Sequence, residues 1–287
     1  MLDRTHNSFG TSHHAMHVPR TMFAAAIDRF GGPEVITAHA LEVPEVDAGE
    51  VLIAVDTAGV GRWDADVREG FFASRKPHFP LVLGYDGAGI IAKVGSRVRR
   101  LKVGDEVYSY NWENPKGGFY AEYVAVPADK VAPIPKRLDL RHAGAIPITG
   151  LTALQGIDDA LGLKKGESII IHGASGGVGT LAVQFARLRG AKVFATASGK
   201  EGLELVREMG AHNVVDGKRV DIEKSGWAIF SLGRSDRTNS VRTESQSDRY
   251  LTSERGRNPR IAWPIRSLDR KGRALLTGVN APIAALH

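Results

Sequence analysis

Apolar and polar residues follow two different rhythms along this chain. Up to about residue 140, apolar positions come in short runs separated by turn residues. Met22-Phe-Ala-Ala-Ala-Ile-Asp28 is followed by Gly31-Gly-Pro33, and Val51-Leu-Ile-Ala-Val-Asp-Thr57 alternates and is β-branched. Gly89-Ile-Ile-Ala-Lys-Val94 stops at Gly95, Glu106-Val-Tyr108 follows Gly104-Asp105, and Phe119 to Val126 follows Gly117-Gly118. Short strands at this spacing, with no long helices between them, predict a closed or nearly closed β structure.

Beyond that point helical and strand patterns alternate. Thr149 to Leu161 predicts a helix and Ser168-Ile-Ile-Ile-His172 a short buried strand. Val178, Leu181, Ala182, Phe185 and Leu188 predict a helix that stops at Arg189-Gly190. Lys192 to Thr196 is a second strand, Glu201 to Met209 a helix stopped by Gly210, and Asn213-Val-Val215 a third strand. Strand, helix, strand, helix, strand is the pattern of a parallel, doubly wound sheet.

The rhythm is lost from Glu223. Residues 223–270 hold 9 Arg against 1 Lys and show no sustained apolar period. They read as an irregular segment, similar to an altered frame or a degenerate terminus. The pattern therefore predicts a flexible extension over residues 1–21 and a β domain over 22–145. The first half of a doubly wound domain follows over 146–222, then an irregular basic tail over 223–287 with a short strand at 273–279. Met22 is itself a candidate start.

Composition narrows the chemistry. With 43% hydrophobic and 24% charged residues in 287, the chain has the composition of a soluble globular protein. No Cys is present, which excludes a disulfide scaffold, thiolate zinc sites and a cysteine nucleophile, and fits a reducing, cytoplasmic setting. No run approaches a membrane span, and residues 1–21 have no apolar core of a signal peptide. The net charge of +6 belongs to residues 223–287, with 12 basic and 6 acidic side chains, while residues 22–222 have 24 and 25. A basic footprint on the folded body is thus missing, which argues against nucleic acid as a partner.

The chemistry concentrates in His172-Gly-Ala-Ser-Gly-Gly-Val-Gly179, between a predicted strand and a predicted helix. A loop of Gly173, Ala174, Ser175, Gly176, Gly177, Val178 and Gly179 has little side-chain bulk to obstruct a phosphate. The helix start offers free N–H groups and a positive dipole end. Gly176 and Gly177 would let the backbone approach a pyrophosphate, and Gly179 would allow close helix–strand packing. No Lys precedes Thr180, so the loop is not a P-loop. The second strand ends in Ala195-Thr-Ala-Ser-Gly-Lys200, with no carboxylate for a ribose 2′-hydroxyl. Ser198 and Lys200 are suited to a 2′-phosphate, which favours NADP(H) over NAD.

Several motifs stand in a fixed order: Gly84-Tyr-Asp-Gly-Ala-Gly89, Val94-Gly95 through Val103-Gly-Asp-Glu-Val107, Gly117-Gly-Phe-Tyr-Ala-Glu-Tyr-Val124, Leu151-Thr-Ala153 and Ala174-Ser-Gly-Gly-Val-Gly179. In this respect residues 22 to about 222 resemble the medium-chain dehydrogenase/reductase superfamily, in its zinc-independent quinone oxidoreductase branch. The resemblance implies an N-terminal GroES-like β-barrel domain followed by a Rossmann domain, here incomplete at its C-terminal end. Substrate and nicotinamide are expected in the cleft between the two. Zinc alcohol dehydrogenases of this superfamily carry an early Cys, and Gly-His-Glu where this chain has Gly84-Tyr85-Asp86, so no metal is expected. His13 and His17, at i, i+4 spacing, lie in the polar extension without a nearby carboxylate.

The same resemblance makes Gly61-Arg-Trp-Asp-Ala-Asp-Val-Arg68 the substrate-side segment. Trp63 is placed either to stack on a flat acceptor or to pack in the core. Asp64 and Arg68 match the family's pattern, as a barrel ion pair rather than as acid and base. Relatives often have Asn and Tyr where this chain has Gly61 and Phe72. Trp63, Asp64 and Thr149 are the candidate catalytic residues, and Thr152 joins the cofactor-binding set. The expected function is NADPH-dependent hydride transfer to a small-molecule quinone or enone, with a homodimer as the candidate assembly and no membrane as partner. The alternative is a dinucleotide-binding protein with little or no catalysis, regulatory or defective.

Overall fold

The computed structural model describes residues 17–71, 78–113 and 115–218, together with the backbone of Leu276–Thr277. His13, Phe72 and nearly all of the basic tail lie outside the described residues. The chain divides into two compact units between Pro147 and Ile148.

The first unit is built of short strands. β1 (Thr21–Ile27) pairs antiparallel with β2 (Ile36–Glu42) and with β4 (Leu81–Val82). A five-stranded sheet runs in the order β7 (Tyr123–Pro127), β3 (Glu50–Ala58), β5 (Asp86–Val94), β6 (Glu106–Tyr110) and β8 (Val131–Pro133). The helices α1 (Arg62–Arg68) and α2 (Leu140–Ala143) are short. Alternation puts Val51, Ile53, Ile91, Val107, Val124 and Val126 on one buried face, around the fully buried Phe119.

Among the described residues these strands do not close into one hydrogen-bonded ring, so of a closed or nearly closed β structure the unit is the nearly closed form. The two sheets meet through the segment Gly118–Glu122, which makes single bonds to several neighbours where a barrel would have a ladder. Tyr120 N donates to Leu83 O, Ala25 N to Tyr120 O, and Val55 N to Glu122 O, with one isolated bridge at Ala24 and Ala121. A Cβ at Gly118 would stand 2.2 Å from Leu83 O, so only glycine lets the segment pass there.

The second unit opens on α3 (Pro147–Gln155), whose last residues continue as one π-type turn, Gly156–Ala160. β9 (Ser168–His172), α4 (Gly177–Leu188), β10 (Lys192–Ala197), α5 (Gly199–Glu208) and β11 (Asn213–Asp216) follow in strict alternation. The sheet is parallel in the order β11-β10-β9-β12, where β12 is Leu276–Thr277 beside Ile171 and His172. Numbered within the unit this is 3-2-1-4, the strand order of a dinucleotide-binding sheet. Ile169, Ile171, Val193 and Ala195 meet Ala182, Val183 and Ala186 of α4 in its core. Among the described residues no helix is long and apolar enough to cross a membrane.

Candidate functional site

The glycine loop leaves β9 at its carboxyl end, beside the point where the strand order reverses from β9 to β12. In open α/β sheets that is where ligands bind. Gly173 turns the chain with φ of +63°, and Gly176 N closes the turn on Gly173 O at 3.0 Å. Thr196, buried near the end of β10, anchors it: Gly173 N donates to Thr196 Oγ1 at 3.2 Å and Ala174 N to Thr196 O at 2.8 Å. Gly176 then caps α4 without a side chain, so the N-cap residue offers the first-turn N–H groups no side-chain acceptor.

The three glycines of the loop do different work. A Cβ at Gly179 would stand 2.5 Å from Gly173 O and 2.6 Å from Ala174 Cα, so α4 is pressed against its own loop. A Cβ at Gly176 would meet Gly173 O at 3.3 Å. Gly177 is exposed, and a Cβ there would touch Thr149 Cγ2 at 3.2 Å. Thr149 therefore borders the start of α4, and Thr152 stands one turn further along the same face of α3, half-buried. Ser175 lies beside Gly202 of α5, where a Cβ would sit 3.2 Å from its Oγ. Ala174 is buried and Val178 half-buried against the sheet core. Ser198 caps α5 with no bond from its side chain, and Ser198 and Lys200 are both exposed beyond the end of β10.

These residues fit a dinucleotide diphosphate. The loop is free of bulk where a Cβ would fill it, N–H groups stand at the helix start, and a hydroxyl and an ammonium lie past the second strand. Thr196 was absent from the sequence-derived set. A lone threonine in the apolar strand beside the glycine loop is the signal that marks it. His172, half-buried, has its ring Nδ1 3.3 Å from the same hydroxyl, and burial lowers its proton affinity.

In the first unit α1 holds the other candidates. The indole of Trp63 lies over Gly61, where a Cβ would come within 2.2 Å of the ring. Its Nε1 is buried with no hydrogen-bond partner among the described residues. Asp64 is buried at 5% exposure, and its Oδ2 accepts Gly61 N at 2.7 Å while Oδ1 accepts Gly84 N at 3.2 Å. The Tyr120 hydroxyl donates to the same carboxylate. Burial raises its pKa to about 6 against those hydrogen bonds. The expected Asp64–Arg68 ion pair does not form. Arg68 turns away to Gly31 O at 3.0 Å and to Glu69 at 2.6 Å, because Asp64 faces inward on this two-turn helix.

Residues 47–136 match the Alcohol dehydrogenase GroES-like domain and residues 177–230 the Zinc-binding dehydrogenase domain. Mouse quinone oxidoreductase is 35% identical over 266 residues, which cover 92% of this chain and 75% of that protein. The chain is a member of the medium-chain dehydrogenase/reductase superfamily, in its quinone oxidoreductase branch. Within the superfamily it is also similar to the Arabidopsis thaliana NADPH-dependent alkenal/one oxidoreductase, at 38% identity over 72% of this chain and 55% of that one. Among solved structures, the Coxiella burnetii quinone oxidoreductase superposes with a TM-score of 0.65 at 32% identity, covering 75% of this chain and 66% of that one. The Escherichia coli quinone oxidoreductase complexed with NADPH gives 0.66 at 28% identity, over 73% and 63%. The chain thus spans between about half and three quarters of the length of these relatives.

Proposed function

We propose that this chain is an NADPH-dependent oxidoreductase that passes a hydride to a quinone or an enone. The observation that carries the reading is the bare helix start at Gly176–Gly177. It is tethered through Thr196 to a β10 that ends without a carboxylate and is followed by exposed Ser198 and Lys200. Backbone N–H groups of the first turn of α4 bind the diphosphate, and Ser198 and Lys200 bind the 2′-phosphate. Thr149 and Thr152 orient the nicotinamide end, on the face that borders Gly177.

Reduced nicotinamide, when bound, supplies the hydride. The acceptor side belongs to Gly61–Arg68, with Trp63 as its aromatic surface. Such an acceptor is already electron-poor, so the protein's part is to orient it and to keep water away. The names of the relatives support this choice of substrate class. The sequence itself has no Cys and places Tyr85-Asp86 where the zinc-dependent branch has His-Glu.

The test mixes purified protein with NADPH and 1,4-benzoquinone or an alkenal, and follows loss of reduced nicotinamide. Oxidation that depends on both reactants, and that a Gly176→Asp, Gly177→Asp variant lacks, is the expected result. Tight NADPH binding with no oxidation above that variant would overturn the catalytic reading and leave a dinucleotide-binding protein.

A further inference from the structure

Asp64 is a buried carboxylate with no cation beside it among the described residues. Its donors are all neutral: the main-chain N–H of Gly61, that of Gly84, and the Tyr120 hydroxyl. The titratable groups facing it are Tyr85, just before β5, and Tyr120 from the segment before β7, on which Asp86 at the start of β5 also acts. Burial, and then the charge on Asp64, raise the proton affinity of both phenols. On its own helix, Arg62 is taken by Asp66 at 3.0 Å, and Arg68 by Gly31 and Glu69. An uncompensated buried charge costs free energy that a neutral side chain would avoid.

What the charge does follows from its three partners. Gly61 is the residue immediately before α1, Gly84 is the positive-φ turn ahead of β5, and Tyr120 lies so close to Gly84 that a Cβ there would stand 2.5 Å from its ring. The indole of Trp63 rests on Gly61, and its buried Nε1 has no acceptor among the described residues, so packing alone sets the ring. Whatever moves Gly61 moves the indole.

We propose that Asp64 is a positioning residue: ionised, it ties Gly61 to Gly84 and Tyr120 and so fixes the Trp63 indole in the place from which it meets the acceptor. The second half of this statement rests on the acceptor site assigned above, and the first does not. Protonation removes acceptor capacity from one oxygen and lets the start of α1 loosen. The carboxyl is raised to about 6, which puts this change at mildly acid pH.

Two readouts test it. The first is Trp63 emission, taken as the difference between the full chain and Trp63→Phe, from pH 5 to 8. The second is the KM for 1,4-benzoquinone at saturating NADPH over the same range. The expected result is a red shift and about a tenfold rise in KM as pH falls through about 6, with kcat little changed. Asp64→Asn is expected to show the acid-side emission and KM at every pH. Tyr120→Phe, which keeps both main-chain bonds, is expected to shift KM about threefold. NADPH affinity stays constant in all of them. Trp63 emission that ignores both pH and Asp64→Asn overturns the positioning role. If the unmodified protein reduces no quinone or enone while the emission step is present, the acceptor assignment falls and the tie at Asp64 stands.

Discussion

Adding a single methyl group at position 179 probes how closely the helix must approach its loop. In Gly179→Ala the new carbon would lie 2.5 Å from Gly173 O and 2.6 Å from Ala174 Cα, both main-chain atoms that no rotamer change can move. Ordinary contact begins at 3.4 Å, so loop and helix must part by about 0.9 Å. Overpacking of this kind costs about 1–3 kcal/mol of stability. A first-turn N–H displaced by that much from a phosphate oxygen no longer makes a hydrogen bond. Losing one charge-assisted bond, at about 1.5–3 kcal/mol, weakens NADPH binding by roughly 10- to 150-fold.

The assay pairs a fluorescence titration of NADPH with a urea melt. Val206→Ala serves as the control, since Val206 is a fully buried residue of α5 and not part of the glycine loop. It is expected to lose about 1–3 kcal/mol of stability with NADPH affinity unchanged within about twofold. If folded Gly179→Ala binds NADPH as the unmodified protein does, the loop is not held by close approach and the reasoning fails.

Three further outcomes follow from the geometry. Lys200→Glu should weaken NADPH by about ten- to thirtyfold while leaving NADH within about twofold, since only the former presents a 2′-phosphate; equal effects on both would refute the assignment. Thr196→Val keeps the shape of a buried side chain but strips Gly173 N of its side-chain acceptor, and should cost about 1–2 kcal/mol in a urea melt together with a loss of NADPH affinity. Asp64 also makes stability depend on pH. Its carboxyl is raised in the fold from 3.8 to about 6, so folding disfavours the charge and the unfolding free energy falls as pH rises through that window, by about 3 kcal/mol relative to Asp64→Asn. Parallel curves for the two proteins would show that the carboxyl is not buried as described.

How much of this was legible in the chain differs from element to element. The run from Ser168 to Val215 could be read almost residue by residue. Each strand there is a short β-branched or apolar block and each helix carries one apolar face, so local pattern and tertiary burial agree. The helix from Thr149 ran true to Gln155 and then became a π-type turn at Gly156–Ala160, a change of hydrogen-bond register that hydrophobic spacing does not encode. The chain pattern left open whether the β domain closes fully, and Gly118–Glu122 is where it stops short. That segment counts as one more alternating strand in the sequence, but its hydrogen bonds are divided among Phe23, Ala25, Val82, Leu83, Gly84 and Val55. The family resemblance suggested an Asp64–Arg68 ion pair, yet Asp64 points into the unit and Arg68 turns to Gly31 and Glu69. Thr196 left one faint signal, a lone hydroxyl in an apolar strand, whereas Tyr120 could not be found without knowing which groups lay opposite it.

β9 has a neighbour along each of its two sides, β10 on one and β12 on the other. The loop proposed to bind the diphosphate therefore hangs from an interior strand, while β11 lies at the rim of the sheet among the described residues. Amide hydrogens of interior strands exchange with solvent only through large, cooperative openings, and rim strands fray first. Deuterium uptake at Ile169–Ile171 should accordingly lag that at Asn213–Asp216, so that transient fraying of the rim leaves the glycine loop in place.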